Sequence, residues 1–93
     1  NALVAMVSDQ AIPPIFQAGS LFIVDREKTP VEGNLVAYLV GERSTRLRVG
    51  LYHVGEEDRQ YLTHINDISQ QPVLLSDGNI ETVGVVVQVD AKT

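Results

Sequence analysis

Apolar positions along the chain come in short runs, each closed by glycine, proline or a polar cluster, and no long stretch has the spacing of an amphipathic helix. Residues 3–7 read as a first short strand. Residues 20–25 bring Leu, Phe, Ile and Val together without alternation, as expected of a strand covered on both faces. A further mostly apolar strand is predicted over 34–40. From Thr45 the pattern becomes strict alternation, with Leu47, Val49 and Leu51 on one face and Arg46, Arg48 and Gly50 or Tyr52 on the other, which predicts a half-buried strand. Gly55-Glu56-Glu57-Asp58 reads as a hairpin loop. Residues 59–65 read as the returning strand, Tyr61 and Thr63 facing opposite to Leu62 and His64. A short strand over 72–75 enters at its proline, Asp77-Gly78-Asn79 is a turn, and 81–90 is the last strand. In that strand Val83, Val85, Val87 and Val89 are expected on one face, with Val86 on the other beside Gly84 and Gln88.

Between the first two strands, Pro13-Pro14 removes two backbone donors and disfavours helix in the residue before each, leaving about one helical turn around Ile15 to Ala18. Gly19 can supply the positive φ that turns the chain into its next strand. Residues 26–33 are a polar connection punctuated by Pro30 and Gly33. The expected fold class is therefore all-β, a small twisted sheet of about seven strands closing on itself as a partial barrel.

Ninety-three residues, 44% hydrophobic and 20% charged, fit one globular domain. Asn1 and Ala2 read as residues left by cloning, and 3–93 as a single domain. A strand almost at the first residue suggests a fragment of a longer protein. With no cysteine, disulfides and thiolate metal sites are excluded, and no apolar run is long enough for a membrane-spanning helix. A net charge of −5 with only seven Lys and Arg argues against a phosphate-reading surface on this domain. Arg46 and Arg48 form at most a minor basic patch and read as solvated strand residues.

Chemistry enters through residues 7–25, VSDQAIPPIFQAGSLFIVD. The cadence Asp-Gln-Ala-x-Pro, then Gly-Ser-Leu-Phe-Ile-Val-Asp, resembles the LexA, UmuD and phage-repressor C-terminal domain family of self-cleaving Ser/Lys peptidases. There the segment usually reads Asp-Ser-Met-x-Pro, then Gly-Asp and apolar residues. On that pattern Asp9, Pro13 and Gly19 match, while Gln10 falls on the nucleophilic serine and Ala11 on the methionine. The resemblance implies the same all-β, LexA-type peptidase-like fold.

In such a peptidase a hydroxyl attacks the scissile carbonyl, and a lysine kept neutral by burial takes its proton. The family's lysine lies on a strand of the Val-Lys-Arg-Leu type. The Gly19-to-Gly33 spacing agrees with the family, and counting on without a gap puts Leu47 at the lysine and Arg48 at the arginine that follows it. A two-residue shift puts Val49 there instead. The only lysines, Lys28 and Lys92, stand in a polar loop and in the C-terminal tail. Both halves of the dyad are missing: Gln10 has no nucleophilic oxygen and Leu47 accepts no proton.

Replacements are weakly supported. Ser8 lies out of register with Pro13 and Gly19, and Ser20 reads as a strand-start hydroxyl. His53 and His64 flank the hairpin, where a cross-strand pair is geometrically feasible, but two histidines fall short of a metal site. Glu56, Glu57 and Asp58 read as a solvated loop tip. A hydrolase built from Asp9, Asp25 and His53 has no spacing in its favour. No metal and no cofactor is expected.

The resemblance implies a catalytically inactive dimerisation or oligomerisation domain of a prophage-type transcriptional repressor, in the bacterial cytoplasm and away from membranes. Its partner would be a second copy, in a homodimer or higher oligomer; the missing dyad alone points to relief by an antirepressor protein. DNA would be met only through an N-terminal helix-turn-helix domain, which these residues do not contain. Val83, Val85, Val87 and Val89 are the candidate dimer interface. The alternative is a self-cleaving Ser/Lys-type peptidase with relocated or mutated catalytic residues.

Overall fold

The structure, a computed structural model, describes residues 2–7, 17–41, 47–65 and 71–91. Seven strands carry it: β1 (Leu3–Val7), β2 (Leu21–Asp25), β3 (Leu35–Val40), β4 (Arg48–Val54), β5 (Gln60–His64), β6 (Val73–Leu74) and β7 (Ile80–Asp90). All pair antiparallel in a single sheet of order β1-β2-β7-β3-β4-β5-β6. The chain is all-β, as its patterning predicts. The expected closure into a partial barrel is replaced by an open sheet with β1 and β6 at its edges. Val73 of β6 and Leu75 just after it nevertheless pack against the apolar cluster that Val36, Tyr38, Tyr52, Leu62 and Val85 form on one face.

Both faces of the sheet bury apolar side chains. On one, Phe22, Val24, Ala37, Leu47 and Val49 form a core with Met6, Leu35, Val83, Val86 and Val89 against it. On the other, Val36, Tyr38, Tyr52, Leu62 and Val85 form a second core. Each fully buried side chain of this size is worth about 1.5–3 kcal/mol. β3 alternates between the two cores, which explains its uninterrupted apolar sequence. The inward facing expected of Leu47, just before β4, and of Val49 within it is observed, but the second half of β4 is covered on both faces because Tyr52 is buried on the face opposite to Leu51.

β7 is the spine of the sheet and departs most from expectation. Its first half, from Ile80 to Val85, pairs with β3, and its second half, from Val85 to Asp90, with β2. Each pairing contains a register shift, one skipping Val83 and one skipping Val87. An extra residue in a strand breaks the two-residue alternation of side chains. Val83, Val86 and Val89 therefore share one core, Val85 enters the opposite one at 1% exposure, and Val87 stays 46% exposed. The four alternate valines do not share a face. Gly84, between the bulges, lets β7 run against the end of β2, since a Cβ there would sit 2.8 Å from the Asp25 carbonyl carbon and 2.9 Å from Arg26 Cα.

Among the described residues no helix is long and apolar enough to cross a membrane. The helical turn expected at Ile15 to Ala18 falls largely outside them. Ala18 and Gly19 form a turn, Gly19 at φ 91°.

Candidate functional site

Of the two degenerate dyad positions, Leu47 is described. It sits just before β4, 6% exposed, in the core formed by Phe22, Val24, Ala37 and Val49. An amine at that position would be surrounded by hydrocarbon, the setting that keeps a lysine neutral. A leucine there offers only packing. Gln10, with Ser8, Asp9, Ala11 and Pro13, lies outside the described residues, as do Arg46 and Lys92. Lys28 is exposed in the connection between β2 and β3. Ser20 is fully buried, and its hydroxyl donates to the Gln17 carbonyl at 2.7 Å, the local bond of a residue closing a turn ahead of a strand.

The two histidines do not form a cross-strand pair. His53 stands opposite Tyr61 and His64 opposite Gly50, so the alternation of the hairpin sends them to opposite faces. Asp25 is on β2, three strands away from His53 across β7 and β3, and its carboxylate accepts the Glu27 N–H at 3.0 Å. No group of three or more potential metal ligands occurs among the described residues.

His53 is instead the centre of a different constellation, set up by a turn in the β2–β3 connection. Val31-Glu32-Gly33-Asn34 closes with the Asn34 N–H on the Val31 carbonyl at 3.0 Å, and Gly33 adopts φ 90°, the positive angle a type II turn requires at its third residue. The Asn34 side chain accepts the Val31 N–H at 2.9 Å. The turn is fastened to β4 by Gly33 N–H to the Tyr52 carbonyl at 2.9 Å and Tyr52 N–H to the Asn34 carbonyl at 2.8 Å. Glu32 is thereby aimed at the next two residues of β4.

Its carboxylate divides between them. Oε1 accepts the Val54 N–H at 3.0 Å, and Oε2 lies 2.5 Å from His53 Nδ1. On the far side of the ring, His53 Nε2 is 2.9 Å from Thr63 Oγ1, and the Tyr61 ring stacks on the imidazole at 5.1 Å and 25°. An ionised carboxylate can only accept, so Nδ1 carries the proton. In the neutral imidazole Nε2 is then a lone pair, and the Thr63 hydroxyl donates to it. The Val54 N–H bond, followed by the His53 bond and charge, holds the Glu32 carboxyl below its ordinary value of 4.5.

Sequence reasoning singled out His53 and placed Thr63 and Tyr61 on a common face, but gave Glu32 no role. Thr63 could have been paired with His53 from the hairpin register alone. Glu32 carries no local signal: it is 21 residues from His53 and meets it only because the turn docks on β4.

The fold and these contacts define a small all-β domain, one antiparallel sheet with a carboxylate–imidazole–hydroxyl line across its β4–β5 hairpin. Compared with protein-family models and with curated proteins, the chain matches none.

Proposed function

We propose that this chain is a catalytically inactive dimerisation or oligomerisation domain of a prophage-type transcriptional repressor, of the LexA and phage-repressor type. The observation that carries the reading is Leu47: the position aligned with the family's lysine lies inside an apolar core and holds a side chain that packs and cannot accept a proton. In this reading the domain joins DNA-reading heads carried elsewhere in the protein, raising the effective concentration of the second head at a two-fold operator. An antirepressor binding this domain would relieve repression without cleavage.

A second copy needs an apolar surface. β7 is interior to the sheet, with both backbone edges paired, and Val85 is buried, so the alternate valines as a set are a poor surface. The β1–β2 end serves better. Leu3 (50% exposed), Ala5 and Val7 (61% exposed) project from one face of β1; Ala5 and Val7 lie opposite Ile23 and Leu21, both half-buried, and exposed Val87 bulges from β7 between the partners of Ile23 and Val24. Exposed apolar side chains grouped on neighbouring strands are the kind of surface on which association occurs.

Two measurements test the proposal. The full-length protein, incubated with activated recombination filament or at alkaline pH, should remain uncut, and the domain should sediment as a dimer or larger species. Specific cleavage ahead of residue 3 would establish the peptidase alternative. A strict monomer at high concentration would remove the proposed role.

A further inference from the structure

We propose that Thr63 is an acyl-accepting hydroxyl, activated by His53 and Glu32 toward activated carboxylic esters and thioesters. The line Glu32 Oε2, His53 Nδ1, His53 Nε2, Thr63 Oγ1, with its 2.5 and 2.9 Å contacts, has the polarity that hydroxyl activation requires. The acid is on one ring nitrogen and the hydroxyl donates to the other. The imidazole is held on three sides: by the carboxylate, by the hydroxyl and by the stacked Tyr61 ring. Glu32 is itself fixed by the Val54 N–H, so the acid does not depend on His53 for its position.

The line is also reachable. The Glu32 side chain is 60% exposed and that of His53 25%, with Thr63 half-buried beside it. Ser20 provides the internal contrast, a fully buried hydroxyl that donates to a backbone carbonyl. The site is separate from Leu47, because the six residue steps from Leu47 to His53 span about 20 Å.

The chemistry is an acyl transfer without redox change. Thr63 Oγ1 attacks the acyl carbon as its proton passes to His53 Nε2, forming the new C–O bond. The bond from the acyl carbon to the leaving oxygen or sulfur breaks, and the imidazolium, stabilised by the Glu32 carboxylate, returns the proton to solvent or to the leaving group. The product is one threonine ester per chain.

p-Nitrophenyl acetate is the probe. The expected result is nitrophenolate release accompanied by one added acetyl group per chain, mapped to Thr63 by tandem mass spectrometry. Thr63→Val should remove that label, and Thr63→Ser should retain it at the same position. His53→Gln should slow labelling of Thr63 roughly a hundredfold, the low end of a general-base contribution. Glu32→Gln should slow it less, the ring keeping Thr63 and Tyr61. Amide-proton spectra of each variant establish that the sheet is intact, and Thr63→Ser and His53→Gln keep polar groups in place so that fold and chemistry are read separately. Acetyl found only on lysines, on His53 or on the N-terminus, or Thr63 labelling at an unchanged rate in His53→Gln, would overturn the proposal and leave the line a structural hairpin contact.

Discussion

Glu32 acts as a one-residue substitute for a strand at Val54: its Oε1 accepts the Val54 N–H at 3.0 Å, where β4 runs on past the last backbone bonds from the β2–β3 turn. Strand pairing of β3 with β4 covers Leu35 to Tyr38, and two further bonds tie Gly33 and Asn34 to Tyr52. Beyond them a donor directed the same way needs an acceptor, and the carboxylate supplies it.

That arrangement makes stability depend on acid pH. The folded-state pKa of Glu32 lies below its ordinary value of 4.5, so the unfolded chain takes up the proton first as pH falls. The contribution is therefore complete above that ordinary value and is lost as pH drops through the lower folded value. Thermal denaturation of the parent chain and Glu32→Gln should show a lower Tm for the variant at neutral pH and a gap that narrows below pH 4.5. A constant gap across the range would assign the effect to packing alone.

Leu47→Lys tests what the degenerate position has become. With Leu47 6% exposed among Phe22, Val24, Ala37 and Val49, an amine there would have to be neutral or force the core open. Urea denaturation should show a loss at least as large as that of Leu47→Ala, itself expected at about 2–5 kcal/mol. No self-cleavage should appear, since Gln10 still lacks a nucleophilic oxygen.

Gly84→Ala should cost about 1–3 kcal/mol, the range for forcing atoms into a filled site, because backbone atoms of Asp25 and Arg26 occupy the space of its Cβ. Gly78→Ala is the control. Its Cβ would meet nothing within 4 Å, and its effect should stay within about 0.5 kcal/mol.

Strands were legible in the sequence because each is bounded by turn chemistry and most keep a two-residue period. Leu47 and Val49 at the start of β4, and Tyr61 and Leu62 on β5, face as the alternation predicts. What escaped was set by contacts distant in the chain. The bulges at Val83 and Val87 reflect β7 serving two different partners; within residues 80–90 only Gly84 hints at a break in the alternation, and it does not mark the two positions. Position 47 was legible as apolar and inward, while the meeting of Glu32 with His53 depended on the docking of a turn.

The β4–β5 hairpin carries a local conflict that mutation should relieve. The Arg59 N–H bonds the Glu56 carbonyl at 3.1 Å, and the two residues between them, Glu57 and Asp58, have φ of 58° and 57°. Two successive positive φ values are the mark of a type I′ turn, which favours Asn-Gly. Glu57→Asn with Asp58→Gly should raise stability by about 1 kcal/mol, read as an upward Tm shift of several degrees.

Association is tested at the edge of the sheet. Val7 is 61% exposed and lies opposite Leu21, so Val7→Asp places a charge on the β1–β2 surface without entering either core. A stable dimer buries about 800 Å² per partner, and an unpaired carboxylate inside such a contact disfavours it strongly. Sedimentation velocity should show the parent chain as a dimer or larger species and Val7→Asp shifted toward monomer, with unchanged thermal unfolding at low concentration. If instead Val87→Asp dissociates the protein and Val7→Asp does not, pairing runs through the exposed bulge of β7 and the β1 surface is not the interface.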